Sequence, residues 1–329
     1  MKRCAAGFFL ALLLAATSAP AKDKMPPLNP LKGTPAPSAP ANPDHFVFIV
    51  AGDNRPKDPS ITPTDTVKQI FQDIAKEAPA FVLWSGDIIS GKDTSGPITQ
   101  EYQAFLAVAA TGGAAVYNAP GNHEMNKHDN CPSDKMLKYY LNDTGQDEPY
   151  GWFDYGNSRF IALDTDEATP SGDKCNCSLF SGDDKPPGYI SKHQMDLLEE
   201  ELKDAKEAKK AHIFLFMHRP IKGYNGKDQL CEDNVTKLKK MFEDYPNLSF
   251  VVAGHQHMYY NDEGKGDERF CAPPERTDPG KKPFYLVSGG AGAPLKGNKG
   301  GFFHYLIFTV DKDKVSVKLV PLDKKYECK

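Results

Sequence analysis

The chain has 329 residues, 40% hydrophobic and 26% charged, with 19 Phe and 14 Tyr, which excludes a chain disordered throughout. Its net charge of −4 creates no field that would gather nucleic acid or an anionic membrane. No segment reaches the roughly 20 apolar residues of a membrane span.

Residues 1–21 begin Met1-Lys2-Arg3, pass through an apolar run from Ala5 to Ala16 and end Ser18-Ala19-Pro20-Ala21. This pattern is expected to be a cleaved signal peptide, so the mature protein is expected to be secreted or periplasmic. Residues 22–44 carry Pro26, Pro27, Pro30, Pro35, Pro37, Pro40 and Pro43 and are expected to form a semi-rigid linker. A single folded domain is then expected over 45–329, with no internal repeat.

Within it, Phe46–Ala51 reads as a buried strand ending in Gly52-Asp53, followed by a helical period at Val67, Ile70, Phe71 and Ile74. Phe81–Trp84 is a second strand, ending in Ser85-Gly86-Asp87. A helix over Tyr102–Ala110 precedes a strand over Ala114–Ala119 that ends in Gly121-Asn122-His123-Glu124. Phe160–Leu163 is a further strand, and 191–210 is a helix with Ser191 as its N-cap. Ile213–Met217 ends at His218, and Phe250–Ala253 ends in Gly254-His255-Gln256-His257. Phe284–Val287, Phe303–Val310 and Val315–Val320 read as strands without helices between them. Alternating strands and helices followed by strands alone predict an α/β architecture with a second sheet packed beside the first.

Outside the leader, the cysteines are Cys131, Cys175, Cys177, Cys231, Cys271 and Cys328. An even number in an exported chain predicts up to three disulfides, whose pairing the spacing does not choose.

Five strand ends carry Asp53, Asp87, Asn122-His123, His218 and His255-x-His257. Ligands of open α/β sheets bind outside the carboxyl ends of the strands, and Asp, Asn and His are oxygen and imidazole donors suited to Zn, Fe or Mn. In extended backbone, His255 and His257 would project to one side. Two imidazoles there could serve two ions ~3.5–4 Å apart.

These residues resemble the calcineurin-like metallophosphoesterases, the superfamily that includes purple acid phosphatases and secreted nucleotidases. The resemblance rests on Gly52-Asp53, Gly86-Asp87, Gly121-Asn122-His123-Glu124, His218 and Gly254-His255-Gln256-His257. Ser288-Gly289-Gly290-Ala291-Gly292 and the Ile190-Ser191 helix start also match, and the likeness spans about 45–321. It implies a four-layer α/β/β/α sandwich of two mixed sheets flanked by helices, holding two divalent or trivalent ions (Mn, Zn or Fe). Asp53, Asp87 and His257 would hold metal one. Asp87, Asn122, His218 and His255 would hold metal two, with Asp87 bridging. His123 would stand near the phosphate, Asn122 would also touch substrate, and Glu124 would buttress the loop. The implied activity is metal-dependent hydrolysis of a small phosphorylated substrate by a metal-activated water. A phosphodiesterase, or a weakly catalytic binding protein on the same fold, is the alternative.

Two positions depart from the pattern. Arg55 stands where the family usually has His, and Ser90 stands where purple acid phosphatases place the chromophore Tyr. Guanidinium stays protonated and cannot ligate metal, so Arg55 either clamps phosphate or turns away to pair with an acid. Further candidates are Lys127 and His128, which are expected to lie on a solvated loop or else to touch substrate, Tyr259 and Tyr260, which line the pocket or pack, Arg219, on phosphate or on an acid, and His304 as a structural residue. Specificity is expected to come from the loops 125–149, 166–190 and 221–233.

Overall fold

In a computed structural model, the described residues are 24–57, 60–91, 97–127, 130–180, 185–224, 226, 228–274, 283–297 and 299–323. Residues 1–21, His128 and Cys328 lie outside them.

The apolar strands have no polar face, and the reason is that each strand feeds two cores. In β1 (His45–Ala51), Phe46, Phe48 and Val50 face one core while Ile49 and Ala51 face another. β2 (Phe81–Trp84) and β3 (Ala115–Asn118) divide in the same way. Successive side chains of a strand point to opposite faces, so a continuous apolar run marks a sheet covered on both sides.

The first sheet has the order β11-β10-β1-β2-β3, with β10 (His304–Asp311) and β11 (Lys314–Pro321) antiparallel and β1 to β3 parallel. The second contains β4 (Gly151–Tyr155), β5 (Ser158–Leu163), β6 (His212–Met217), β7 (Leu248–Ala253), β8 (Tyr259–Asn261) and β9 (Phe284–Ser288), in the order β4-β5-β6-β7-β9-β8. Its central strands β5, β6, β7 and β9 run parallel. Between the sheets lies a core rich in phenylalanine, in which Phe48 meets Phe81, Phe160, Phe214 and Phe308 at ring centroid distances of 4.9 to 5.3 Å.

Helices α1 (Asp65–Glu77), α2 (Ile98–Ala110) and α4 (Asp134–Thr144) cover the first sheet. Helices α5 (Lys192–Glu207) and α6 (Glu232–Phe242) cover the second. The result is the four-layer α/β/β/α sandwich of two mixed sheets. The short α3 (Asn122–Met125) follows β3 directly.

The proline-rich segment departs from an extended tether. Met25, Leu28 and Leu31 are buried, one in each of the three cores. Leu28 N–H donates to Trp152 O (2.8 Å), Trp152 N–H to Pro26 O (3.1 Å) and Leu31 N–H to Val116 O (2.7 Å). A polyproline II helix has three residues per turn, and apolar residues at 25, 28 and 31 keep that spacing. Proline composition hid this apolar stripe, so 24–34 is a strap along the edge of both sheets. Helices α4 and α6 and strand β4 were also missing from the sequence reading. In α4 and α6 the apolar residues alternate with charged and polar ones, and β4 is only five residues long.

Two outcomes follow from this packing. Leu31→Ala should cost about 2–5 kcal/mol, the usual range for a buried leucine, measured by urea unfolding. A cost near zero would mean that the strap is not part of the core. His304 is buried in β10 with Nδ1 near Phe302 O (2.8 Å) and no partner at Nε2 among the described residues, and burial lowers its pKa to about 4 from 6.5. Because the folded state then binds fewer protons than the unfolded one, this group's contribution is complete above pH 6.5 and lost as pH falls through 4. His304→Gln should flatten the stability curve in that window, and an unchanged slope would contradict a neutral buried His304.

Candidate metal centre

The parallel strands of both sheets deliver their carboxyl ends to one seam. The first sheet contributes Asp53, Asp87 and Asn122 after β1, β2 and β3. The second contributes His218 after β6 and His255 and His257 after β7. Oxygen donors thus come from one sheet and imidazoles from the other.

The chain turns sharply at these positions. Asp53, Asp87, His255 and His257 all have positive φ, between 44° and 68°. Left-handed backbone at a non-glycine residue costs of order 1–3 kcal/mol and gathers at functional sites. Here it replaces the extended backbone expected for His255-x-His257. Gln256 N–H donates to Gly254 O (2.8 Å), and the curl sends the two imidazoles to different groups of donors. Gly254 permits the close approach of the sheets, since a Cβ there would stand 2.3 Å from Asp53 Oδ2.

One group of donors surrounds His218 Nε2, which lies 3.0 Å from His255 Nδ1, 3.1 Å from Asn122 Oδ1 and 3.3 Å from Asp87 Oδ1. Tetrahedral donors about 2.0–2.1 Å from an ion stand roughly 3.3–3.4 Å apart, a spacing close to the one His218 Nε2 keeps with each of the other three atoms. His218 Nδ1 lies 2.7 Å from Ser85 O, a contact that fixes the ring and turns the Nε2 lone pair inward. His255 faces Arg219, whose Nη1 is 3.3 Å from its Nε2. Burial, and then Arg219 and the neighbouring imidazoles, hold His255 well below the ordinary imidazole range, so it stays neutral.

The second group is Asp53, Asp87 and His257, with donor atoms all within 4.8 Å of one another. His257 Nε2 is 3.4 Å from Asp53 Oδ1, and its Nδ1 is 2.8 Å from Pro294 O, again leaving the inner nitrogen as donor. Burial lowers its pKa to about 4. Burial and then Asp87 push Asp53 well above the usual carboxylate range, against two hydrogen-bond contacts from His255 N–H (3.1 and 2.9 Å). Two buried carboxylates side by side call for a cation. Burial also opposes ionisation of Asp87, but His123, His218 and Arg55 outweigh it and hold Asp87 below its usual range. Asp173, Cys175 and Cys231 form another close group, but both cysteines are spent in a disulfide and offer no thiolate.

Arg55 neither turns away nor stands free. It points into the rim, with Nε 3.2 Å from Asp87 Oδ2. His123 donates its backbone N–H to Asp87 Oδ1 (3.1 Å), turns Nδ1 to Ser90 O and brings Nε2 within 3.9 Å of Asp87 Oδ2. Glu124 accepts backbone N–H groups from Gly121 (2.7 Å), Asp87 (3.0 Å) and Ile88. Burial, and then Asp87, raise its pKa to about 8. Tyr259 and Tyr260 are buried and pack in the interior, whereas Arg219 pairs with buried Asp166 (2.9 Å). The exposed Lys127 donates its N–H to Cys131 O.

Above these groups is a cavity of about 300 Å³ whose lining includes Arg55, Asn122, His123, Lys185, Asp228 and Lys296. Lys185, Asp228 and Lys296 were not singled out in the sequence. Each lies in an irregular loop, without a motif around it. Disulfides tie the rim together. Cys131–Cys177 joins loops 125–149 and 166–190, and Cys175–Cys231 joins 166–190 to 221–233. Cys271 is disulfide-bonded as well.

This seam of donors on a two-sheet sandwich defines a metal-binding α/β protein. Residues 46–259 match the family model of calcineurin-like phosphoesterases, and the chain belongs to that family. No curated protein matches it. Among solved structures it is similar to a dimetal phosphatase from Danio rerio, at 17% identity and a TM-score of 0.60, over 84% of this chain and 96% of that one. It is also similar to the purple acid phosphatase PPD1 of yellow lupin (Lupinus luteus) seeds, at 15% identity and a TM-score of 0.53. There 85% of this chain matches 52% of the lupin enzyme, about half its length. GAP50, the anchor in the inner membrane complex of Plasmodium, is similar at 13% identity and a TM-score of 0.51, over 85% of each chain. At these identities the likeness concerns the fold.

Removing the Cys175–Cys231 link by replacing both residues with Ser should cost about 2–4 kcal/mol and lower the thermal midpoint by several degrees. An unchanged midpoint would mean that the rim is held by other contacts.

Proposed function

We propose that the protein is an exported hydrolase of phosphate esters that works through two metal ions held at the seam between its sheets. The observation that carries this reading is that Asp87, Asn122 and His255 each bring a donor atom within 3.3 Å of His218 Nε2, beside the buried pair Asp53 and Asp87. Export is supported by the basic and apolar leader and by the two disulfides. No helix among the described residues is long and apolar enough to cross a membrane.

In this reading Asp87, Asn122, His218 and His255 hold one ion, and Asp53, Asp87 and His257 hold the other. Bound metals would supply a hydroxide near neutral pH and polarise the phosphoryl oxygens. The remaining work belongs to the side chains. Asn122, with Oδ1 turned to His218, has its amide N–H groups left to meet a phosphate oxygen. Arg55 holds Asp87 through Nε and donates Nη1 to Pro56 O (3.5 Å), and Nη2 is left to meet a phosphate oxygen in the cavity it lines. His123, fixed through Nδ1 at Ser90 O, carries a proton at Nε2 to the leaving oxygen. Positive charge on Arg55 beside Asp87 weakens the three-donor ion, because guanidinium and metal compete for one carboxylate.

A chromogenic phosphomonoester and diester panel with Mn, Zn and Fe tests the activity, and inactivity on every member with each metal bound would favour a binding protein. Asp87→Asn should abolish turnover and lower bound metal. His123→Ala should reduce kcat by about 10²–10⁴-fold with metal content unchanged. Equal loss of metal and rate in that variant would make His123 a ligand instead. Calorimetric titration should resolve one tight and one weaker equivalent of metal, and Arg55→His should tighten the weaker one. Two equally tight equivalents in the unaltered protein would contradict the competition.

A further inference from the structure

The segment that follows β2 is buried from Asp87 to Gly91, and its backbone donors are taken up by two carboxylates. Glu124 accepts the N–H groups of Asp87 (3.0 Å), Ile88 and Ile89 (3.4 Å). Glu101 accepts the next two, from Ser90 (2.8 Å) and Gly91 (3.1 Å), both at the one oxygen Oε2. Glu101 belongs to the first turn of α2 and is 5% exposed. It is not among the residues that line the cavity. A buried carboxylate is costly unless its oxygens are hydrogen-bonded, and here the bonds run to the loop that orients His123.

The carbonyl of Ser90 and the N–H of Gly91 belong to one planar peptide and point in opposite directions across it. With Gly91 N–H fixed on Glu101, Ser90 O is turned the other way, onto Nδ1 of His123. A carbonyl only accepts, so Nδ1 carries the proton of that bond and Nε2 is the nitrogen that the proposed proton transfer uses. The fit is close: Gly91 has a φ of 52°, and a Cβ there would overlap the backbone O of His123. A shift of the Ser90–Gly91 peptide therefore moves the imidazole. An acid behind the peptide also polarises it and strengthens the carbonyl as an acceptor.

Building on the phosphoester hydrolase reading, we propose that Glu101 is a positioning residue for proton transfer to the leaving group, setting the tautomer and direction of His123 through the Ser90–Gly91 peptide. In the reaction, water bonds to phosphorus as hydroxide and releases a proton to solvent. The ester P–O bond breaks, and the ester oxygen takes a proton from His123 Nε2, which regains one from solvent. Glu101 matters only where the leaving oxygen needs that proton. An alkoxide does, whereas p-nitrophenolate leaves without one.

The test uses the full chain loaded with Mn²⁺. It compares Glu101→Met, which keeps the bulk and removes the acceptor, with Glu101→Gln, whose amide oxygen can take both N–H groups. On butyl phosphate, Glu101→Met should lower kcat about tenfold, inside the general-acid contribution of about 10²–10⁴-fold, with KM and bound metal unchanged. On p-nitrophenyl phosphate it should stay within about twofold of the unaltered protein, and Glu101→Gln should keep the rate on both esters. In a His123→Ala background, Glu101→Met should cost nothing further, because residues that act as a unit are not additive. Equal losses on the two esters, loss of metal along with rate, or losses that multiply in the double variant would overturn the proposal. Should Glu101→Met not fold, Glu101→Asp, which withdraws the same oxygen by one methylene, carries the same expectations. Nuclear magnetic resonance of the metal-free protein with ¹⁵N-labelled histidine reads the positioning without turnover. The Nδ1–H signal absent from His123→Ala should persist in Glu101→Gln and shift or vanish in Glu101→Met. Hydrolysis of both esters with a signal unchanged in Glu101→Met removes the positioning and leaves the hydrolase. A signal that depends on Glu101, with no ester hydrolysed, keeps the positioning of His123 and removes the hydrolase.

Discussion

The carboxylate of Asp87 is the contact on which the rest of the seam depends. It is almost wholly buried, lies 3.3 Å from His218 of the other sheet, bonds Arg55 at 3.2 Å and accepts the backbone N–H of His123. Its backbone N–H is in turn capped by Glu124. A buried anion without partners would be too costly to keep. Strands β2 and β6 must therefore end at matching heights, and the phenylalanine core between the sheets sets that match. The stacked and edge-on rings of Phe48, Phe81, Phe160 and Phe214 fix how far apart the sheets stand, and the polar ends meet as a consequence.

That core also sustains the strained backbone. Asp53, Asp87, His255 and His257 lie in the left-handed region, and side chains from extended strand ends would have pointed along the sheets. The run after β9 helps to hold the first of them, because Ala291 and Ala293 donate to Gly52 O (3.0 Å) and Asp53 O (2.7 Å). Large rings and many parallel strands pack away from the seam, leaving the seam to polar groups. Around it, two disulfides fasten the segments 125–149, 166–190 and 221–233 to one another. The donors thus rest on sheet geometry and the rim around them on covalent links.

Much of this arrangement was legible in the sequence for a physical reason. Buried strands are continuous apolar runs, and a polar residue directly after such a run is conspicuous. Asp53, Asp87, Asn122, His218, His255 and His257 could each be found in this way, and the structure brings all six together. The interactions that orient them were not legible. Ser85 and Pro294 act through backbone carbonyls, which every residue type possesses. Arg55 was visible as a departure, but its direction depends on a bond to Asp87 that only the fold creates. The strap at 24–34 was hidden because proline content dominated three well-spaced apolar residues.

The central claim is that the two sheets aim their strand ends at ion-sized points. Anomalous diffraction from crystals grown with saturating Mn²⁺ tests it directly. The expected result is a strong peak enclosed by Asp87 Oδ1, Asn122 Oδ1, His218 Nε2 and His255 Nδ1, with a weaker one beside Asp53 and His257. A map with ordered side chains at all six positions and no peak at either point would contradict the account.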